Sequence, residues 1–318
     1  MGGEQLQLVG DIGATNARFA LVAADGSLSR HANLLCEDYR GLAEAIDAYL
    51  SQAGTAQPAR AVLAVATSPN GDRVAFTNNP WTFSVAELTA HLGGARLRVV
   101  NDFYANALAV PQLTDTDVRK IGGGAAVRHT PIGVIGPGSG LGVSAVIPQG
   151  NGYLPIATEG GHVTMAAASE EESAVLDLMR RRYDHVSAER LLSGPGLVNI
   201  YNALCEVAGS SAAALTAAQI SDPQTCATDK NAKNAIQMFC AMLGTVAGNL
   251  ALTLGARGGI YIAGGIVPKL GETFARSQFR ARFEDKGRLR AHLAAIPTFV
   301  VTRPDAALLG AAQLLDPA

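Results

Sequence analysis

The chain has 318 residues, 48% of them apolar and 16% charged, with 35 glycines and a formal net charge of −2. That length permits one large or two moderate domains around a substantial core, and the near-neutral balance argues against an electrostatic hold on nucleic acid. No uninterrupted apolar run reaches the roughly 18 residues of a membrane helix.

Cys36, Cys205, Cys226 and Cys240 form no CxxC pair and suit a reducing compartment better than a disulfide framework. A strand begins after five residues, which predicts no signal peptide, no membrane partner and a cytoplasmic protein.

Residues 6–23 read as strand, turn and strand. Leu6, Leu8 and Val9 lead into Gly10-Asp11-Ile12-Gly13-Ala14-Thr15-Asn16, and Phe19 to Val22 follow. A Gly/Asn turn is most often only a hairpin. Yet Asp11 puts a charge at the end of an apolar strand. With Gly13, Thr15 and Asn16 beside it, the same turn can aim N–H groups and a hydroxyl at phosphate oxygens, and Asp11 at a Mg²⁺ hydration shell. Both readings stand. Ala14 is expected at negative φ, Gly13 supplying the permissive position.

The spacing of Leu42, Ala45, Ile46, Tyr49 and Leu50 predicts a helix over 38–53, and Ala61 to Ala66 a buried strand. A loop over 67–72 and a short strand from Val74 come next. A Ser84/Glu87 capping box then opens a helix that Gly93-Gly94 ends. Leu97 to Val100 closes a strand and Ala105 to Val110 reads as helix. Asn101 and Asp102 thus stand at the carboxyl end of a strand, where open α/β sheets bind ligands. Asn or Asp before a helix is usually an N-cap, so Asp102 is either a cap or a catalytic carboxylate. The order β-β-α-β-β-α-β-α predicts a mixed-sheet α/β domain.

A domain transition is expected near Pro111, and the pattern is weak over 112–131. Gly136-Pro137-Gly138-Ser139-Gly140-Leu141-Gly142 then joins two apolar strands and echoes the first turn, as an internal duplication would. Neither GxGxxG nor GxxxxGK[ST] occurs; two glycine hairpins suit a phosphate chain gripped from both sides. Glu159-Gly160-Gly161-His162 can bring Glu159 and His162 to one side of a turn, with no second His at i+4 for zinc. Ser169 and Glu172 predict a capping box, and residues 170–172 and 180–182 a solvated charged face.

His185-Val-Ser-Ala-Glu189-Arg190 holds one more isolated Glu, and Ser193 is predicted to cap a helix from Pro195 to Cys205. Residues 231–254 form the longest helix, with Gly255 at C′ and Gly244 and Gly248 marking a close neighbour. Gly264-Gly265 ends a buried strand, as a plain turn or as backbone approaching a flat ligand. A helix over 305–315 is expected to return to the first domain.

Taken in order, LVGDIGATNARFALV, NDFYANALAVP, GPGSGLGV, EGGHV, SAERLLSGPGLVNIY and GGIYIAGGIVPK resemble the bacterial glucokinase family, of the ATP-dependent kind without the zinc motif of the repressor-related sugar kinases. The resemblance runs from about residue 6 to 315. It implies an α/β, two-domain actin-like (hexokinase-type) fold, with mixed sheets flanked by helices and a cleft between domains. The small domain would take residues 1–110 and about 300–318, the large one 111–299. It also implies ATP-dependent phosphorylation of the 6-hydroxyl of D-glucose, Mg²⁺ arriving with the nucleotide, and a homodimer.

By the same resemblance Asp102 takes the proton from the sugar, and Asn101, Glu159, His162 and Glu189 hold it. The turns at 10–16 and 136–142, with Gly136, Gly138, Ser139 and Gly140, cradle phosphates, and Gly264 and Gly265 belong to the adenosine site. Four departures stand out: Ala14 replaces a glycine, Ser139 a threonine, Pro137 removes an N–H donor, and Pro69 falls one position late. The alternatives are a kinase for another hexose and a non-catalytic glucose sensor of the same fold. Asp102, both turns and the absence of a helix pair before Leu6 argue against the sensor.

Overall fold

The computed structural model describes residues 6–76 and 79–315. Residues 1–5, where no leader is expected, and 316–318, the end of the expected small domain, lie outside the described residues. The chain divides into two compact units: one runs to Thr114 and adds Gly150–Ala157 and the chain from Arg303, and the other comprises Asp115–Gln149 and Thr158–Thr302. Residues 150–157, which the sequence assigns to the large domain, group with the first unit.

In the first unit the chain runs β1 (Gln7–Ile12), β2 (Asn16–Val22), β3 (Leu28–Leu35), α1 (Leu42–Ala53), β4 (Arg60–Val65), β5 (Arg73–Ala75), β6 (Thr82–Ser84), α2 (Val85–His91), β7 (Arg96–Asn101) and α3 (Asp102–Ala109). The main sheet has the order β3-β2-β1-β4-β7, with β1, β4 and β7 parallel and β1, β2 and β3 antiparallel. Side chains alternate across it. Leu8, Ile12, Phe19 and Leu63 pack with Ile46 and Leu88 of α1 and α2, while Val9, Ala20 and Val62 pack with Leu308 and Ala311 of the terminal helix, Ala306–Ala312.

That terminal helix lies so close to α3 that a Cβ on Gly310 would come within 1.8 Å of the Ala105 carbonyl oxygen. β3 is exposed along most of its length. It is a strand because β2 pairs with it at an edge, so no apolar alternation betrays it in the sequence.

The second unit opens with β8 (Val118–Gly122), β9 (Ile132–Pro137) and β10 (Leu141–Gln149); β11 (Gly152–Ile156) lies in the first unit. Then come α4 (Glu170–Arg180), α5 (Gly194–Val207), α6 (Ala217–Ile220), α7 (Pro223–Thr228), α8 (Lys230–Leu254), β12 (Ile260–Ile262), α9 (Ile266–Leu270), α10 (Glu272–Ala275), α11 (Phe279–Glu284), α12 (Arg290–Ala295) and β13 (Thr298–Val301). Within this unit the strands lie β10-β9-β12-β13-β8. The antiparallel β9–β10 hairpin followed by parallel β12 and β13 repeats the β2-β1-β4-β7 topology. The echo of the two glycine turns therefore extends to strand order.

α8 is long and apolar enough to cross a membrane by length and composition, although no uninterrupted apolar run marks it in the sequence. Its side chains instead fill the core of this unit. Gly244 and Gly248 admit α11, whose Phe279 and Phe283 carbonyl oxygens would lie 2.2 and 2.6 Å from an added Cβ. Gly255 ends the helix at φ 60°.

The charged face expected on α4 needs correction at Glu172, which is only 2% exposed. Its carboxylate accepts both Nη groups of Arg282, at 2.8 and 3.1 Å, and the Ala168 N–H at 2.7 Å. Arg282 also donates to the Thr245 hydroxyl at 2.9 Å. The pair ties α4 to α8 and α11. An i, i+3 charge pattern on one helix cannot reveal a partner 110 residues away. Removing one member leaves a buried charge alone, at a cost of about 3–5 kcal/mol. Glu172→Gln and Arg282→Met should each lower the urea midpoint accordingly, and the double variant Glu172→Leu/Arg282→Met should recover most of the loss. Single variants as stable as wild type would return Glu172 to the solvated face.

Candidate functional site

The first glycine turn links β1 to β2 and is closed by the Gly13 N–H donating to the Asn16 carbonyl at 2.9 Å. Its carbonyls are held by the chain: that of Thr15 accepts the Cys36 N–H at 2.8 Å, and that of Gly13 accepts Nδ2 of Asn79 at 3.3 Å. Thr15 is exposed and Asn16 half-buried. Gly10 and Ile12 sit inside β1. Ile12 is wholly buried, and a Cβ on Gly10 would meet Leu63 at 2.7 Å. Ala14 has negative φ, as expected, but so has Gly13, so backbone freedom is not what requires glycine there.

Asp11 lies opposite Arg18 in the β1–β2 register, and Nη1 of Arg18 donates to its Oδ2 at 3.0 Å. Burial pushes the Asp11 carboxyl above its ordinary 3.8, and the charge and hydrogen bond of Arg18 draw it part of the way back. The turn motif does not single out Arg18. The hairpin register was the available signal, since it sets the two residues side by side as a cross-strand pair. Among the described residues no group of three or more His, Cys, Asp or Glu could hold a metal. A single carboxylate suits a Mg²⁺ ion that keeps its waters and takes most of its ligands from a nucleotide.

The strand end at 101–102 separates two roles that the sequence leaves open. Asn101 is the N-cap of α3: its Oδ1 accepts the N–H groups of Phe103 and Tyr104 at 2.9 and 3.2 Å, and its Nδ2 donates to the Thr67 carbonyl at 3.3 Å. Asp102 is the first residue of the helix and half-buried, with Oδ1 accepting the Phe103 N–H at 2.9 Å.

In the second unit three segments meet at Leu141. The turn 138–140 is closed by Gly138 N–H donating to the Gly140 carbonyl at 2.8 Å, and Gly194 N–H donates to the Gly138 carbonyl at 2.8 Å. The Leu141 N–H donates to Oε2 of Glu189 at 2.8 Å. The Leu141 carbonyl faces Gly161, where a Cβ would come within 2.0 Å of it. Gly160 lies against Val143, its absent Cβ 2.8 Å from Cγ1. The two glycines therefore lay the 3-10 turn Gly160–His162 directly on β10. Glu159 and His162 are exposed at either end of that turn, and His162 Nε2 is 4.0 Å from Oε1 of Glu189. Ser139 is exposed at the tip of its turn.

Gly264 has φ +82°, and a Cβ there would stand 2.6 Å from the Pro137 carbonyl oxygen. Its close approach is to the second glycine turn of its own chain. Gly10, Gly140, Gly160, Gly161 and Gly264 are thus glycines because the protein fills the space beside them. Gly13, Gly138 and Gly265 are different: none has positive φ, and an added Cβ meets only an ordinary contact at Gly13 and open space at the other two. One such glycine falls in each of the three turns.

Paired hairpin-and-parallel-strand sheets, glycine turns without a dinucleotide or P-loop fingerprint and a carboxylate at a strand end define a sugar kinase of the actin-like ATPase fold. The sequence profile of the glucokinase family matches residues 8–318, and the chain belongs to that family. It is 50% identical over 312 residues to a glucokinase of Aromatoleum aromaticum, covering 98% of this chain and 94% of that one. It is also 50% identical over 316 residues to a glucokinase of Paramagnetospirillum magneticum, covering 98% of each. The crystal structure of a glucokinase from an Antarctic psychrotroph superposes with a TM-score of 0.86 at 36% identity, over 98% of both chains.

The two kinds of glycine make opposite predictions. Gly161→Ala drives a methyl into backbone and should destabilise the protein by roughly 2 kcal/mol or more, as overpacking does. Gly13→Ala and Gly138→Ala should fold with thermal midpoints within a few degrees of wild type while weakening ATP binding in calorimetry. Unaltered ATP affinity in both would remove the phosphate reading of those turns.

Proposed function

We infer that the chain phosphorylates D-glucose on its 6-hydroxyl at the expense of ATP, with Asp102 as the base. One observation carries this reading: Asn101, not Asp102, caps α3. The capping role falls to Asn101, and the Asp102 carboxylate stands beside it in the first turn of α3, at the carboxyl end of β7. The Asp102 carboxylate takes the proton of the 6-hydroxyl. The sugar oxygen bonds to the γ-phosphorus, the bond to the β,γ-bridging oxygen breaks, and glucose 6-phosphate and ADP result. Such transfers depend on positioning and charge stabilisation more than on covalent chemistry.

The sugar hydroxyls are donors and acceptors at once. Glu159 and Glu189 accept from them, His162 does either, and Asn101 retains a second Nδ2 hydrogen to offer. Hydrogen bonds to charged groups contribute about 1.5–3 kcal/mol each. Gly13, Gly138 and Gly265 support nucleotide contact, since their missing side chains leave room that the protein itself does not use. Gly136 and Gly140, with Ser139 between them, complete the second cradle. Thr15 and Asn16 flank the first, with Gly10, Ile12 and Ala14 shaping its backbone.

Mg²⁺ bound with the nucleotide would neutralise phosphate charge, with Asp11 holding it through water. The family likeness further supports a homodimer in the cytoplasm. The net charge of −2 supports the absence of a nucleic-acid partner, and the burial of α8 that of a membrane span.

Asp102→Asn should keep glucose affinity within about threefold and lose two to four orders of magnitude in kcat, the usual range for a general base. Coupled ADP release compared across glucose, mannose, fructose and N-acetylglucosamine, with calorimetry for the bound sugar, checks both the base and the substrate. Near-normal kcat in folded Asp102→Asn would reduce Asp102 to a structural residue.

A further inference from the structure

His185 has no place in the reading above, yet it touches the segment that carries His162. Residues 163–165 and 186–188 run antiparallel: Thr164 bridges Ser187, Met165 N–H donates to the Val186 carbonyl at 3.0 Å, and Ala188 N–H donates to the Val163 carbonyl at 2.8 Å. Just beyond these pairs His162 and Glu189 each sit in a 3-10 turn, with His162 Nε2 4.0 Å from Glu189 Oε1, and His185 Nε2 lies 3.0 Å from the backbone oxygen of His162. A carbonyl oxygen only accepts, so Nε2 carries the proton whether the ring is neutral or charged.

We propose that His185 is a positioning residue for glucose, anchoring the backbone of His162 so that the imidazole stays beside the Glu189 carboxylate. The proposal rests on the reading of His162 and Glu189 as sugar ligands. Its physical basis is the composition of the turn. His162 follows two glycines, is itself exposed, and belongs to a single 3-10 turn with no side-chain cap. Gly160 and Gly161 are required by their contact with β10, and Thr158 braces the Gly160 end of the turn, its Oγ1 accepting the Gly160 N–H at 3.2 Å and donating to the Val143 carbonyl at 2.8 Å. The His185 ring supplies a brace from the next segment, four residues before Glu189. A ligand held in place before the sugar arrives binds it without the cost of ordering the turn.

Loss of one such bond should raise KM for glucose about three- to tenfold. In steady-state assays of the full chain, His185→Ala should show that rise with kcat and KM for ATP within about twofold of wild type. His185→Gln, whose amide nitrogen reaches the Nε2 position, should restore KM to within twofold. His185→Asn, one bond shorter, should not, and the Gln/Asn pair decides the matter if His185→Ala fails to fold. His162→Ala is assayed beside them. If it raises KM for glucose while His185→Ala does not, or if Gln is as impaired as Ala, the positioning role is overturned and the sugar reading stands. If His162→Ala leaves KM for glucose unchanged, the sugar reading itself fails and the proposal with it.

Discussion

The two backbone polar groups of one residue, Leu141, organise the second unit. The Leu141 N–H is given to the Glu189 carboxylate, and the Leu141 carbonyl is pressed against Gly161. Three stretches far apart in sequence are thereby fixed in one place: the glycine turn at 138–140, the Glu159–His162 turn, and the Glu189–Gly194 segment. Gly161 has no room for even a methyl group against the Leu141 carbonyl, and a Cβ on Gly140 would stand 2.5 Å from Oε2 of Glu189. A carboxylate assigned to the sugar thus also holds the turn assigned to phosphate. Placing the acceptor and the group to be transferred with respect to each other is the larger part of phosphoryl-transfer catalysis, and under the proposed function a single side chain bears on both.

Charge is handled differently in the two units. Asp11 stays largely buried at a strand end with one partly exposed arginine beside it, and burial raises its carboxyl despite that partner. It is the carboxylate to which the proposed function assigns a hydrated Mg²⁺. Glu172 is buried more deeply but has a bidentate arginine and a backbone donor, so its task is complete within the protein. The two carboxylates thus differ in how fully the protein's own groups meet them.

Much of this was legible in the sequence where the signal is local. Ser193, Gly255 and the face of α8 announce themselves through capping chemistry and 3.6-residue spacing, and the glycine turns through composition. Gly244 and Gly248 even foretold the close approach of another helix, α11. Legibility ends where structure depends on remote partners. β3 and β8 are strands because neighbours pair with them, Glu172 is buried because Arg282 meets it, and Gly264 is glycine because Pro137 lies against it. At the site, the residue types were visible but their duties were not: sequence could not tell that Asn101 caps while Asp102 does not, nor that Glu189 grips Leu141.

The most direct test is a crystal structure of the chain with glucose and a non-hydrolysable ATP analogue. In that complex Glu189 should keep the Leu141 N–H on one oxygen and take a glucose hydroxyl on the other, Asp102 should meet the 6-hydroxyl, and the phosphates should lie over Gly13 and Gly138. Glucose bound away from Glu189, or phosphates distant from both glycines, would contradict the proposed function.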